Sequence, residues 1–236
     1  MNIDETVGVL LEQGSLYSVV NLGTQGYCAF QEAYLVAEYV PKFKPRFVLF
    51  FFFENDINDL YGYLTDREIN EFIQRDLNDI SYKPRTDPSR LISEKSWSNF
   101  FHPKLYISPA ISILRFKLKR TFKKDQNKPV VIDKLHDVND EESLAWNYTK
   151  RAILYMNAVA KSHHAKFVIA PIIIRNKHHY DILKKFAAQH HLLFIEDARV
   201  YEWGWNSDHF LPQDGHFTAI GAEAMAKVVA DFLKNN

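Results

Sequence analysis

Cysteine is nearly missing. Cys28 is the only one in 236 residues, which excludes an intramolecular disulfide and any thiolate metal cluster and leaves the compartment open. Net charge is missing as well: Lys plus Arg and Asp plus Glu both total 29, so no overall field draws in nucleic acid or anionic lipid, and no nucleic-acid partner is expected. No run of about 18 apolar residues is present to span a bilayer, so no integral membrane segment is expected. Residues 1–8 lack a basic region leading into an apolar one, so no secretory signal is expected, which leaves localisation unassigned and cytoplasmic only by default. Internal repeats and low-complexity tracts are absent too. What is there is apolar: 47% of the side chains, enough for one substantial core, and the expectation is a single domain over 1–236 with an irregular or helical insertion at about 61–142.

The clearest element is the apolar run at 47–53, too short for a globular helix and long enough for a strand. Without polar alternation it reads as buried on both faces, the mark of a central parallel strand. Before it, residues 5–11 read as a short helix, 16–21 as a strand, 21–26 as a loop with glycines, and 27–40 as a helix that Pro41 and Pro45 bring to an end. After it, Thr65 and Glu68 form a capping box for a helix over 66–80, and 81–103 reads as a polar surface excursion. Residues 105–124 carry apolar side chains at helical spacing among basic ones, which fits a core-facing helix with solvated lysines or a helix lying on a membrane surface. The last hundred residues alternate: helix 143–162, strand 166–174, helix 177–190, strand 192–195 and helix 219–233. Such alternation predicts an α/β fold with a parallel sheet and right-handed crossovers.

Ligands of such sheets bind beyond the carboxyl ends of the strands. Asn55 and Asp56 fall there, and they can equally be an Asx turn that ends the strand. Gly26 lies in the loop between strand and helix, where backbone N–H groups can face an anion or the glycine can simply permit a turn. Asp214-Gly-His216 precedes the last helix. A histidine there can act as a general base with its tautomer fixed by the carboxylate, or the segment can be a capping turn. Three histidine pairs, at 163–164, 178–179 and 190–191, do not chelate from one helix face, because chelation needs ligands three or four positions apart.

Taken together, Asn21-Leu-Gly-Thr-Gln-Gly-Tyr27 with Gln31, the Phe-rich strand with Asn55-Asp56, and Asp214-Gly-His216-Phe with Gly221 resemble the second, third and fifth blocks of the SGNH, or GDSL, hydrolases. The resemblance implies a flavodoxin-like three-layer α/β/α sandwich and ester or acyl chemistry through a serine, on a small-molecule or glycan ester, with neither metal nor organic cofactor. It assigns the base to His216, its orienting acid to Asp214, and the oxyanion donors to the Gly26 backbone N–H and the Asn55 side-chain amide.

The chain departs from that pattern in three places. The Gly-Asp-Ser block that supplies the nucleophile should precede Asn21 by several tens of residues. Only 20 residues precede it, none reading Gly-Asp-Ser, and Ser15 and Ser18 lie just before or within the second expected strand. Residues 1–11 resemble the segment that follows the missing block, so the sheet is expected to lack its first strand and to carry a gap between 16–21 and 47–53. Phe53 stands where the third block usually has glycine, and Gln213 where the acid usually sits; the Asp214-x-His216 spacing resembles that of the alginate O-acetyltransferases. The expected function is an SGNH-type esterase, lipase or O-acyltransferase lineage, inactive without its nucleophile. The alternative is a non-catalytic module of that fold that binds a glycan or acyl ligand.

Overall fold

The computed structural model describes residues 6–15, 17–24, 27–58, 66–76, 79, 137–172, 176–196, 208–211 and 216–236. All of them belong to one compact unit, assembled from the chain up to Arg85 and from Leu135 onward. The amphipathic stretch at 105–124, the surface excursion at 81–103 and Thr65 of the expected capping box lie outside the described residues.

The sheet among the described residues has three parallel strands in the order β1 (Phe47–Phe52), β2 (Lys166–Pro171), β3 (Leu193–Phe194). Phe47 is in register with Lys166 and Phe52 with Pro171, and Val168 with Leu193. Around the strands the described helices are α1 (Val7–Gly14), α2 (Ala29–Phe43), α3 (Asn55–Asn58), α4 (Asp66–Gln74), α5 (Leu144–Ser162), α6 (Lys177–Gln189) and α7 (Ala219–Lys234). Strand side chains alternate between faces, and the core divides accordingly. Phe50, Phe52, Phe167 and Ile169 join the apolar cluster of α2, α5 and α6, whereas Phe47, Leu49, Phe51, Val168 and Ala170 join that of α1 and α7. Helices therefore cover both faces, which is why the strands read as continuous apolar runs.

Local chemistry sets the helix ends. Ser143 caps α5 by accepting the Trp146 N–H at 3.3 Å, and Asn176 caps α6 by accepting that of His178 at 3.0 Å. Two of the histidine pairs are helix stops. His164 (φ 60°) and His191 (φ 52°) hold the left-handed position after α5 and α6. The next residues, Ala165 and Leu192, donate back to Ala160 and Ala187 at 2.9 Å, which closes a Schellman turn at each site.

The sequence reading needs three corrections. Residues 17–24 form no strand: residues 17–23 line a cavity beside β1 without pairing to it, and among the described residues no strand lies beside them to complete a ladder. For the same reason β1 is an edge strand of the described sheet rather than a central one, and only Phe50 and Phe52 along it are fully buried. Pro41 does not end α2. It sits in the last turn, and the helix runs on to Phe43 before Lys44, at φ 47°, donates to the Val40 carbonyl at 2.9 Å.

Candidate functional site

At the carboxyl end of β1 the chain turns at once into α3. Asp56 makes that turn: its Oδ2 accepts the Phe53 N–H at 2.8 Å and its own N–H donates to the Phe53 carbonyl at 3.0 Å. The residue is buried, and its carbonyl accepts the Thr149 hydroxyl of α5 at 3.2 Å. Asp56 is thus a structural hinge between strand and helix. Its neighbour is placed differently. Asn55 is half-buried and its Nδ2 donates to the Tyr27 carbonyl at 3.3 Å, across 28 residues of chain. That bond holds the segment leading into α2 against the tip of β1. The loop before it is braced at Asn21, whose Oδ1 accepts the Gly23 N–H at 2.9 Å, and at Thr24, whose carbonyl accepts the Tyr27 N–H at 3.2 Å. Gly26 lies outside the described residues.

Glu54 ties the end of β1 to the start of α6. Its Oε1 accepts the Asn176 N–H at 2.8 Å and stands 3.7 Å from Nδ1 of the buried His179, whose ring meets Trp146 edge-on. Cys28, at the foot of α2, is buried, and burial pushes its thiol up to about 11, so it is no candidate for a nucleophile near neutral pH.

His216 is exposed and sits ahead of α7, as its spacing from the last helix led one to expect, while Asp214 lies outside the described residues. The turn that carries it is well fixed. The His216 carbonyl accepts the Leu211 N–H at 2.8 Å, Phe210 and Phe217 bridge antiparallel with stacked rings 5.1 Å apart, and Thr218 caps α7 by accepting the Gly221 N–H at 3.2 Å. Gly221 is needed where it stands, because a Cβ there would come within 2.0 Å of the His209 carbonyl oxygen.

A cavity of about 650 Å³ opens along the edge of β1 that carries no strand partner among the described residues. Residues 17–23 line it, α2 supplies Leu35, Val36 and Val40, the opposite helix layer supplies Val7, Leu11 and Leu233, and Phe51, Ile172 and Phe217 line it too. The His216 turn and the 21–23 loop thus both contribute to the lining, through Phe217 and through Leu22 and Gly23. Two polar residues in this wall escaped the sequence reading. Glu32, in the first turn of α2, places a carboxyl in a mostly apolar lining. Its Oε2 is buried without a hydrogen-bond partner, and burial pushes the carboxyl up to about 8. Arg46 lies at the start of β1 with its guanidinium over the rings of Phe47 (5.1 Å) and Tyr17 (5.8 Å). The signal for Glu32 was available: a carboxylate four positions before Val36 and three before Leu35 falls on the same helix side as both.

Among the described residues no group of three or more His, Cys, Asp or Glu is placed to hold a metal, and no helix is long and apolar enough to cross a membrane. In comparisons with known proteins no family model matches the chain, and neither a curated protein nor a solved structure matches it.

Proposed function

We propose that the chain is an SGNH-type hydrolase scaffold, of the serine esterase, lipase or O-acyltransferase lineage, whose 236 residues hold the base and oxyanion donors but no Gly-Asp-Ser nucleophile. The observation that carries this reading is the Asn55 amide bonded to the Tyr27 carbonyl, which joins the second resembling block to the third at the carboxyl end of β1. Helices on both faces of a parallel sheet are compatible with the flavodoxin-like sandwich, in which β1, β2 and β3 take the third, fourth and fifth places of the order 2-1-3-4-5. In the reaction of that lineage a serine Oγ adds to an ester carbonyl while His216 takes its proton. The Gly26 N–H and the Asn55 amide hold the oxyanion, the alkoxide leaves with the proton from His216, and water or an alcohol then takes the acyl group from the serine.

The test is hydrolysis of p-nitrophenyl acetate. The chain as it stands should turn over no faster than its His216→Ala variant; clear turnover dependent on His216 would reveal a nucleophile within the 236 residues. A chain extended at its amino end by an apolar strand closing in Gly-Asp-Ser should become active, and Asn55→Ala should then lower the rate by about 10² or more. A silent extended chain, or one indifferent to Asn55, removes the hydrolase reading.

A further inference from the structure

The open edge of β1 has a definite hydrogen-bonding pattern. The carbonyls of Arg46 and Phe52 accept from Lys166 and Ile172 on the β2 side, at 2.9 and 3.0 Å. By the alternation of a strand, the backbone groups of Val48 and Phe50 face the same way, and those of Phe47, Leu49 and Phe51 face the cavity. Among the described residues, none donates to or accepts from these outward N–H and C=O groups. An edge of this kind is a template for another strand.

The cavity says what kind of strand. It is walled on one face by Leu35, Val36 and Val40 and on the other by Val7, Leu11 and Leu233, so side chains projecting either way from an occupant meet apolar surface. Residues 17–23 also line it, which makes it a groove along the strand edge rather than an open sheet face, a fit for one extended segment. An acyl chain would match the walls but would leave the outward backbone groups of β1 without partners. Two polar features add to the pattern. Arg46 stands at the amino end of the edge, without a carboxylate partner among the described residues, and Glu32 offers a buried carboxyl oxygen with none of its hydrogen bonds made.

We propose that this groove is a strand-accepting site, which binds an extended peptide segment of about six residues, apolar on both faces, with an acidic residue at the end that lies beside Arg46. The segment adds to the sheet by hydrogen bonding to Phe47, Leu49 and Phe51, and its side chains fill the space between α2 on one face and α1 and α7 on the other. Because the outward edge and the two-sided apolar lining carry it, the proposal holds whether or not the hydrolase reading does.

The probe is a fluorescein-labelled synthetic peptide, Asp-Val-Ile-Val-Leu-Val-Gly-Lys-Lys, titrated with the full chain and read by fluorescence anisotropy. Saturable one-to-one binding is expected. N-methylation of alternate residues on the edge that meets β1 should weaken it about tenfold or more, since each methyl removes a main-chain donor. Replacing the peptide's Asp with Lys should weaken it as well. Leu49→Pro, which deletes an outward N–H without touching the β2 ladder, should do the same in the protein, and the methylated peptides carry the test should that variant fail to fold. Absence of binding overturns the proposal. So does binding indifferent to N-methylation and displaced by oleate, the behaviour of an acyl-chain cavity. Dimers that form with concentration and that the peptide cannot dissociate would make a second copy the occupant, and would overturn it too.

Discussion

Glu32 concentrates a conflict in one side chain. The first turn of a helix favours an anion, by about 0.3–1 kcal/mol. Burial opposes it, and burial wins, because a displacement from 4.5 to about 8 is several times larger at about 1.4 kcal/mol per unit. The sign of the consequence follows from proton counting. Between those two pH values the folded protein keeps a proton that the unfolded chain has released, so stability falls as pH rises through the interval and levels off above it. Glu32→Gln has no proton to lose. Urea unfolding at pH 5 and at pH 9 should show wild type losing on the order of 3 kcal/mol more than the variant across that span, with the variant the more stable protein at pH 9. Parallel losses in the two proteins would mean that water reaches the Glu32 carboxyl in solution and that its burial is not kept.

At the scale of an element, α7 shows how packing overrides propensity. Alanine in place of a helical glycine gains roughly 1 kcal/mol by propensity. At Gly221 the added Cβ would lie 2.0 Å from the His209 oxygen and 2.8 Å from its carbonyl carbon, and both are backbone atoms that cannot swing away. Overpacking of that kind costs roughly 1–3 kcal/mol, and more where main chain must move, so Gly221→Ala should lower the urea midpoint rather than raise it. The same contact explains what was legible in the sequence and what was not. Periodicity and caps are local, so α5, α6 and α7 and strands β1 and β2 stand close to where their apolar spacing placed them. His216 was likewise legible as a loop residue ahead of a helix, whereas Asn55, expected in a loop, is the first residue of α3. Pairing is not local. Residues 17–22 carry a strand's composition, yet a strand needs a neighbour, and the sequence alone cannot supply one. For the paired histidines after α5 and α6, sequence spacing shows only that they do not chelate from one helix face. Their role as left-handed helix stops needs the following residue's N–H to reach back, which is a property of the turn and not of the pair.

At the scale of the molecule, the cavity poses a question of magnitude. Empty space sealed in a core costs about 24 cal/mol per Å³, so about 650 Å³ sealed and dry would exceed the 5–15 kcal/mol that holds a typical domain together, but this cavity is partly open and water can enter it. The protein in solution therefore does not keep this space dry and vacant. Water can satisfy the outward amides of β1, but it wets an apolar lining at the expense of the core on both faces of the sheet. A chain in that condition should take up 1-anilinonaphthalene-8-sulfonate while still folded, and should self-associate through the open edge as its concentration rises. Adding the strand peptide should expel the dye, restore the monomer and raise the melting temperature in step with peptide concentration, because a ligand of the folded state alone stabilises it by mass action. Dye fluorescence, light scattering and thermal melts on one sample series separate the cases. A strictly monomeric chain that melts cooperatively and takes up no dye would mean that residues 17–22 close against β1 in solution and make the missing ladder themselves. The groove would then be shut, and the edge that invites a partner would already be paired.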